Sequence, residues 1–276
     1  MKVNGAELYV EDTSGAGPAV VFSHGLLWST KMWRFQIAAF RGAHRCIAFD
    51  HRGQGRSEVT ASGYDMDTLA EDAAALIEQT GAAPVHFVGL SMGGFVGMRL
   101  AARRPELLRS LALLCSASDG EPLINVPKYA AMNFLTRFVG ARPFLPVIMR
   151  LMFARPFRED PARAGLRKSL AQEVLGNDLV GMRRAVSGVM FRKPVSAAEL
   201  ANIQVPTLVI SGAEDAAIKP KRSMRTASQI RGARFLGIPR AGHSAALEEP
   251  DAVNRALRDF WQSLPAEKVV FATNSR

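Results

Sequence analysis

The segment GLSMGG at positions 89 to 94 places a serine among small residues. It follows the apolar run VHFV (85–88) directly and opens a stretch with helical spacing. This strand–turn–helix context is the one in which a GxSxG pattern presents its serine as a nucleophile. A turn this sharp needs small neighbours because Cβ atoms would collide across it. Since a chain with 23 glycines can contain the pattern by chance, Ser91 is a candidate nucleophile that still needs partners.

A serine hydroxyl reacts only if a base takes its proton and a carboxylate orients that base. Among the five histidines, we predict His243 as the base, because it follows the last predicted strand on a glycine-containing loop. Asp215 is the predicted acid because it comes just past another buried run, LVIS (208–211), with Glu214 and Asp119 as alternatives. The chain order Ser91, Asp215, His243 is one of the known orders of serine triads.

Acyl transfer also requires N–H donors for the oxyanion. The backbone N–H of Met92, the residue after the nucleophile, is the first candidate, at a predicted helix start. The second is the N–H of Leu26, because Gly25 allows the chain to bend after the strand VVFS. This chemistry requires no metal and no organic cofactor, and Cys46 and Cys115 lack the spacing of a metal site.

The elements that must position these residues follow an α/β pattern. Short apolar runs alternate with helical patterns up to about residue 118 and again from 205, which predicts a mostly parallel sheet covered by helices. Between them, residues 120–201 show only helical signals. We therefore expect an α/β core formed by residues 1–119 and 202–265, a helical cap insert at 120–201 and a C-terminal tail at 266–276.

The amino-acid composition limits the binding partners and the cellular location that we expect. The chain of 276 residues carries a formal charge of +10, and residues 121 to 201 hold 13 Lys and Arg against 6 Asp and Glu. No basic run has the length of a phosphate-tracking arm, so we expect a solvated basic face or attraction of anionic substrates rather than nucleic-acid binding. No signal core or membrane-length apolar run is present, so the expected location is the cytoplasm, with both cysteines reduced.

Together these motifs resemble the α/β-hydrolase fold superfamily, in its branch with a helical cap. The matching segments are HGLL (24–27), DHRGQGRS (50–57), GLSMGG (89–94), GAEDAAIKP (212–220) and GHSAALEEP (242–250). The resemblance implies the same triad and the same two oxyanion donors. A serine nucleophile sets aside the haloalkane dehalogenases and epoxide hydrolases of this family, which use aspartate. The amino-acid sequences of these segments are most similar to those of 3-oxoadipate enol-lactonases and related small esterases.

We expect a serine hydrolase that cleaves short to medium acyl or aryl esters, or lactones, through an acyl-enzyme. The alternatives are an enol-lactonase of aromatic catabolism, a cofactor-free perhydrolase or haloperoxidase, and a small-molecule receptor on the same fold. Methionine and phenylalanine residues of the cap suit a pocket of adaptable shape. The predicted pocket residues are Leu27, Trp28, Phe134, Phe138 and Met182.

Overall fold

The computed structural model describes residues 1–265, and the predicted tail at 266–276 lies outside them. Its centre is a seven-stranded sheet with the order β3-β5-β4-β6-β7-β8-β9, beside a two-stranded hairpin, β1-β2. The strands are β1 (Lys2–Val3), β2 (Ala6–Glu7), β3 (Val10–Asp12), β4 (Ala19–Ser23), β5 (Arg45–Phe49), β6 (Val85–Leu90), β7 (Leu108–Leu114), β8 (Thr207–Gly212) and β9 (Arg234–Ile238). Within the large sheet β3 is antiparallel to β5 and every other pair is parallel, which confirms the predicted sheet.

The central strands of the sheet are buried on both faces, as their continuous apolar runs require, whereas the edge strands β3 and β9 are largely exposed or half-buried. All residues of β4, β6 and β8 are buried. One hydrophobic cluster includes Val21, Phe87 and Leu111, and a second on the opposite side includes Val20, Val88 and Leu114. Because neighbouring strands run parallel, their carboxyl ends gather at one edge, and this is where the predicted site residues should lie.

Helices cover both faces and fill the segment between β7 and β8. They are α1 (Arg34–Phe40), α2 (Met66–Gln79), α3 (Met92–Arg103), α4 (Val126–Val139), α5 (Leu145–Met152), α6 (Arg155–Glu159), α7 (Ala164–Leu175), α8 (Leu179–Met190), α9 (Ala197–Ala201), α10 (Pro220–Gln229), α11 (Ala245–Glu248) and α12 (Pro250–Gln262). Short 3₁₀ helices span Thr30–Trp33, Pro105–Leu107, Leu123–Asn125, Arg142–Phe144 and Pro161–Arg163. None of the helices in residues 1–265 is long and apolar enough to cross a bilayer.

We call residues 120–201 the cap segment; in the structure its elements are α4 to α9 and three of the 3₁₀ helices. Hydrogen bonds tie α4 to α8, since Asn133 Nδ2 donates to the carbonyl of Arg183 at 3.1 Å and Arg183 Nε donates to the carbonyl of Asn133 at 2.9 Å. The cap segment is anchored to the core by Asn177, whose Nδ2 donates to the Leu27 carbonyl at 3.0 Å. The cap segment is therefore held next to the loop that follows β4.

Two local predictions differ from the structure. The sequence predicts a strand at residues 8 to 10, but β3 begins only at Val10, because the Leu8 N–H donates to the Met1 carbonyl and the Tyr9 N–H to Ser57 Oγ, outside the sheet. The start of α2 also differs. The sequence predicts a capping box that begins at Thr68, whereas Asp65 is the N-cap and accepts from the Thr68 N–H.

Candidate active site

Ser91 lies at the junction of β6 and α3 in a strained backbone conformation, with φ 51° and ψ −109°. Non-glycine residues rarely adopt such angles, and functional turns are where they are found. The turn is tight. A Cβ placed on Gly93 would lie 2.1 Å from the carbonyl oxygen of Ser23 at the end of β4. Only glycine at position 93 lets the first turn of α3 approach the sheet this closely, and the serine side chain is left at the sheet edge.

The predicted acid and base are in direct contact. His243 Nδ1 lies 2.9 Å from Asp215 Oδ2 and 3.1 Å from Oδ1, and both side chains are buried. Since a carboxylate only accepts, the ring N–H at Nδ1 is the donor and Nε2 is left for another partner. The N–H groups of Ala217 and Ile218 donate to Asp215 Oδ1 at 2.9 and 2.8 Å. The loop after β8 therefore fixes the carboxylate that orients the histidine.

Ser91 and His243 line one cavity of about 160 Å³ between the sheet edge and the cap segment. Among residues 1–265 no hydrogen bond joins the Ser91 hydroxyl to the His243 ring. Catalytic hydrogen bonds of this kind often tighten only when substrate binds. The structure thus brings the three predicted triad residues to the carboxyl edge of the sheet, with the serine and the histidine facing a common space.

The alternative acids lie elsewhere. Glu214 is exposed to solvent. Asp119 accepts hydrogen bonds from Arg222, at 2.7 Å from Nη2 and 3.1 Å from Nε. Neither carboxylate bonds His243 within the described chain, where Asp215 alone holds that position.

Three of the four remaining histidines, His24, His51 and His86, are buried structural groups, whereas His44 is half-buried just before β5. His24 Nε2 accepts from the His51 N–H at 2.9 Å, and His51 Nε2 lies 2.8 Å from Ser23 Oγ. Burial lowers the pKa of His24 and holds that of His51 well below its usual value, so both rings stay neutral. His86 bonds Ser110 within the sheet, and burial lowers its pKa to about 3.

The two predicted oxyanion donors are unoccupied within the described chain. The N–H of Met92 is in the first turn of α3, where no acceptor four residues back is available. The N–H of Leu26 is likewise without an acceptor in residues 1–265, whereas that of Leu27 donates to Gln54 Oε1 at 2.7 Å. Leu26, like Ser91, lines the cavity. One free N–H therefore belongs to the residue after the serine and the other to a residue that lines the same cavity, as expected for donors to a developing oxyanion.

Sequence reasoning missed one buried carboxylate, Glu248, which holds the loop that carries His243. Its Oε1 accepts from the N–H groups of Gly242 at 3.0 Å and Ser244 at 3.1 Å, the residues on either side of the histidine. Its Oε2 accepts from the N–H of Ala154 in the cap segment at 2.7 Å. Burial raises the pKa of Glu248 to about 7, against the opposing effect of the three N–H donors. The only sequence signal was a glutamate in an otherwise apolar helical turn after GHS.

The cavity lining corrects part of the predicted pocket. Leu27 and Met182 line it, as predicted. Trp28 does not, because its ring is fully buried and packs against Phe153 at 5.8 Å between centroids. Phe134 and Phe138 do not either, because their side chains lie on the outer face of α4 and are 57% and 66% exposed. The spacing of Phe134 and Phe138 in the sequence predicts that they share one face of a helix, but not that this face points away from the core.

Most of the wall is apolar and comes from α4, α5 and α8. It includes Met132, Ile148, Met152, Val186, Val189 and Met190. Phe95, one helical turn after Ser91, also lines the cavity and was recognisable from that spacing. Glu121 and Arg192 are the charged pair of the wall in residues 1–265, and the sequence did not single them out.

Cys115, Asp215 and His243 lie close enough to suggest a metal site, with ligand atoms within 4.8 Å of one another. The chemistry of the cysteine argues against one. A metal ligand must be a thiolate, whereas burial raises the pKa of the Cys115 thiol well above its usual value. The thiol faces the carbonyl of Gly242 at 3.6 Å instead. In this arrangement Asp215 orients the His243 ring, and the Cys115 thiol beside them stays protonated.

The features described so far are typical of one class of protein. They are a sheet of this order, a serine at the turn after β6, and an Asp–His pair after β8 and β9. The sequence profile of the α/β-hydrolase fold matches residues 18–250. The chain belongs to the α/β-hydrolase fold family and is an enzyme of that family.

Three relatives cover almost the whole chain. A protein of Mycobacterium tuberculosis named "Putative non-heme bromoperoxidase BpoC" is 32% identical over 92% of this chain and 98% of its own length. The crystal structure of the enol-lactonase from Burkholderia xenovorans LB400 is 29% identical, covers 94% and 98% of the two chains and has a TM-score of 0.86. A thermophilic esterase from Thermogutta terrifontis is 28% identical over 93% of both chains, with a TM-score of 0.85.

Proposed function

We propose that this protein hydrolyses carboxylic esters or lactones by a serine acyl-enzyme route. The observation that carries the proposal is the meeting of Ser91 and His243 at one apolar cavity, with Asp215 bound to the far side of the His243 ring. An apolar wall suits the acyl or aryl part of a small ester. The similarity to an enol-lactonase and an esterase supports the same class of reaction.

In the first step the Ser91 oxygen attacks the carbonyl carbon while His243 Nε2 takes the hydroxyl proton. The C–O bond to the leaving alcohol then breaks, and the protonated histidine returns the proton to that oxygen. In the second step water attacks the acyl-enzyme with His243 again as base, and release of the acid restores the serine. Asp215 keeps the Nδ1 proton in place and stabilises the charged ring.

Each tetrahedral intermediate carries an oxyanion. We assign its stabilisation to the N–H groups of Leu26 and Met92, which have no acceptor within residues 1–265. Loss of one such donor typically costs about 10² to 10³ in turnover. Since both donors belong to the backbone, side-chain replacement leaves them in place.

The test is hydrolysis of 4-nitrophenyl acetate and butyrate by the wild type and by S91A. We expect kcat to fall by about 10⁴-fold or more in S91A, because triad residues act as a unit. S228A is the matched control, since Ser228 is exposed on α10 and bonds only the Arg225 carbonyl within the described chain. Labelling by a fluorophosphonate should follow the same pattern. Wild-type turnover in a folded S91A would contradict the proposal.

A second candidate, enol-lactone hydrolysis, is favoured by the similarity to the Burkholderia xenovorans enol-lactonase. The same attack on a lactone opens the ring, so the leaving oxygen stays attached to the acyl group. A preference in kcat/KM for an anionic enol-lactone over 4-nitrophenyl butyrate would select this function. Equal or better hydrolysis of the neutral ester would reject it.

A third candidate, perhydrolysis, is favoured by the relative with a bromoperoxidase name. Hydrogen peroxide would replace water as the nucleophile on the acyl-enzyme, giving a peracid and free Ser91. The peracid oxidises bromide in solution. Bromination of phenol red that needs acetate, peroxide and Ser91 together would support this activity, whereas a rate equal to that of S91A would reject it.

A further inference from the structure

One end of the cavity carries charge. Apart from Glu121, Arg192 and the His243 ring, the described residues that line it are apolar or uncharged polar residues, including Tyr129. The Arg192 side chain is 2% exposed and that of Glu121 11%. A buried guanidinium in an apolar wall has a large desolvation cost unless its donors are satisfied.

Within residues 1–265, Nη1 is the only guanidinium nitrogen of Arg192 that has hydrogen-bond partners. Nη1 donates to the Val189 carbonyl at 2.8 Å and approaches Glu121 Oε2 at 3.4 Å. Nε and Nη2 are buried and have no hydrogen-bond partner among residues 1–265. The guanidinium carbon lies 4.2 Å from the centre of the Phe95 ring, which supports one face of the group. The side chain is thus held by Nη1 and Phe95 with two donors left over.

The two unpaired donors belong to one edge of the guanidinium. Nε and Nη2 are the pair that binds both oxygens of a carboxylate in parallel hydrogen bonds. A buried donor left without a partner is destabilising, so a ligand that accepts from both donors is favoured. Burial lowers the pKa of Arg192 to about 10, so the group remains a cation at neutral pH. Its chemistry therefore matches a carboxylate.

Arg192 shares the cavity with the serine. Phe95 follows Ser91 by four residues along α3, a rise of about 6 Å. The guanidinium lies over the Phe95 ring, and Ser91, Phe95 and Arg192 all line the cavity. A test substrate with roughly four to six atoms between its ester carbonyl and its carboxylate spans a distance of that order.

We propose that Arg192 binds a carboxylate carried by the substrate, so that the enzyme prefers anionic esters or lactones; this rests on the hydrolase function proposed above. Glu121 holds the Nη1 side of the guanidinium and has its own second oxygen bonded by Asn125 Nδ2 at 2.8 Å. Because the charge of Glu121 opposes an incoming anion, it weakens carboxylate binding. Arg192 and Glu121 therefore act on substrate choice in opposite directions.

The experiment compares two substrates that differ only in their ends: the 4-nitrophenyl monoester of adipic acid, with a terminal carboxylate, and 4-nitrophenyl hexanoate, with a terminal methyl. The measured quantity is the ratio of their kcat/KM values, corrected for spontaneous hydrolysis. For the wild type we expect a ratio of about 10 or more. In R192M the ratio should fall by about 10²-fold, the loss typical of a bidentate charge-assisted pair. Because it is a ratio, a general loss of activity cancels.

A second variant tests the opposite direction and covers the case in which R192M does not fold. E121Q removes the competing charge and should raise the ratio several-fold. Free adipate should also inhibit hexanoate hydrolysis competitively, with a lower inhibition constant in E121Q than in the wild type. R222Q is the matched control, because Arg222 pairs with Asp119 and is not among the residues that line the cavity. It should leave the ratio unchanged.

The outcomes separate the two proposals. If the wild type hydrolyses neither ester, the proposed hydrolase function fails. If hexanoate is hydrolysed but the ratio is near 1 in the wild type and in E121Q, the two donors hold a bound water only and the carboxylate site is wrong. An equal shift of the ratio in R192M and R222Q would assign the effect to the general positive field of the cap segment instead.

Discussion

At the scale of single residues, Asp215 is the most fully bonded member of the predicted triad. It accepts from the His243 ring and from the N–H groups of Ala217 and Ile218. All three contacts require an acceptor. A side chain that presents an N–H in place of an oxygen would oppose one of them and favour the wrong tautomer of the histidine.

We therefore expect D215N to lower kcat by about 10⁴-fold with little change in KM, since an amide placed behind the histidine disturbs its proton rather than the substrate cavity. D119N is the matched control, because Asp119 also follows a strand but pairs with Arg222. Steady-state kinetics with 4-nitrophenyl butyrate measure both variants. A collapse of turnover in D119N, with D215N still active, would reassign the acid.

Sequence reasoning pointed to Ser91, Asp215 and His243 because each comes within a few residues of the end of a predicted strand, and the carboxyl ends of parallel strands meet at one edge. It did not locate Arg192. Residues 121 to 201 contain 13 Lys and Arg, and nothing in their spacing tells which one points inward. Arg192 differs from the other basic residues of this segment because it is buried beside Phe95. That burial results from packing between α3 and the end of α8.

At the scale of elements, the loop between β9 and α11 must hold His243 in place, and Glu248 does this from within α11. Its carboxylate joins Gly242, Ser244 and, across to the cap segment, Ala154. One side chain thus fixes both the loop that carries the histidine and the segment that starts α6.

The buried carboxyl group of Glu248 is expected to make the free energy of unfolding depend on pH. Burial raises its pKa from 4.5 to about 7 in the folded protein. Between these values the folded state keeps a proton that the unfolded chain releases, so this contribution is complete below about pH 4.5 and is lost as pH rises through about 7. It amounts to about 3 kcal/mol at most. We expect the free energy of unfolding of E248Q to fall less over this range than that of the wild type.

Urea unfolding at several pH values between 4.5 and 8 measures this slope. E249Q is the matched control, because Glu249 is the next residue and reaches Arg163 at 3.6 Å rather than the histidine loop. It should retain the wild-type slope. Parallel pH profiles for the wild type and E248Q would contradict the assignment of this titration to Glu248.

In the helices of the cap segment, hydrophobic periodicity predicts which residues share a face but not which face turns toward the cavity. The repeat in α4 correctly placed Phe134 and Phe138 on one face, but an apolar face does not state what covers it. In the structure the opposite side of α4, with Met132 and Thr136, meets the cavity. Which side turns inward is decided by contacts with α8, such as the hydrogen bond from Asn133 to Arg183.

At the scale of the whole molecule, the cavity exists only while α8 rests on the core. Met182, Val186, Val189 and Met190 of this helix form part of its wall. The approach is closest at Gly188, where a Cβ would lie 1.9 Å from the carbonyl oxygen of Tyr64. Arg184 Nη1 adds a hydrogen bond to the Thr60 carbonyl at 2.6 Å. The distance between cap segment and core is thus set by backbone contact.

We therefore expect G188A to push α8 outward and open the cavity, lowering kcat/KM for 4-nitrophenyl butyrate about tenfold and destabilising the fold by about 1–3 kcal/mol, the usual cost of overpacking. G165A is the matched control. Gly165 lies in α7, where a Cβ would have no other atom within 4 Å among the described residues, and alanine there should be neutral or stabilising by up to about 1 kcal/mol. Thermal unfolding and steady-state kinetics on both variants decide the matter: a G188A protein with wild-type Tm and kcat/KM would show that the cavity does not depend on this contact.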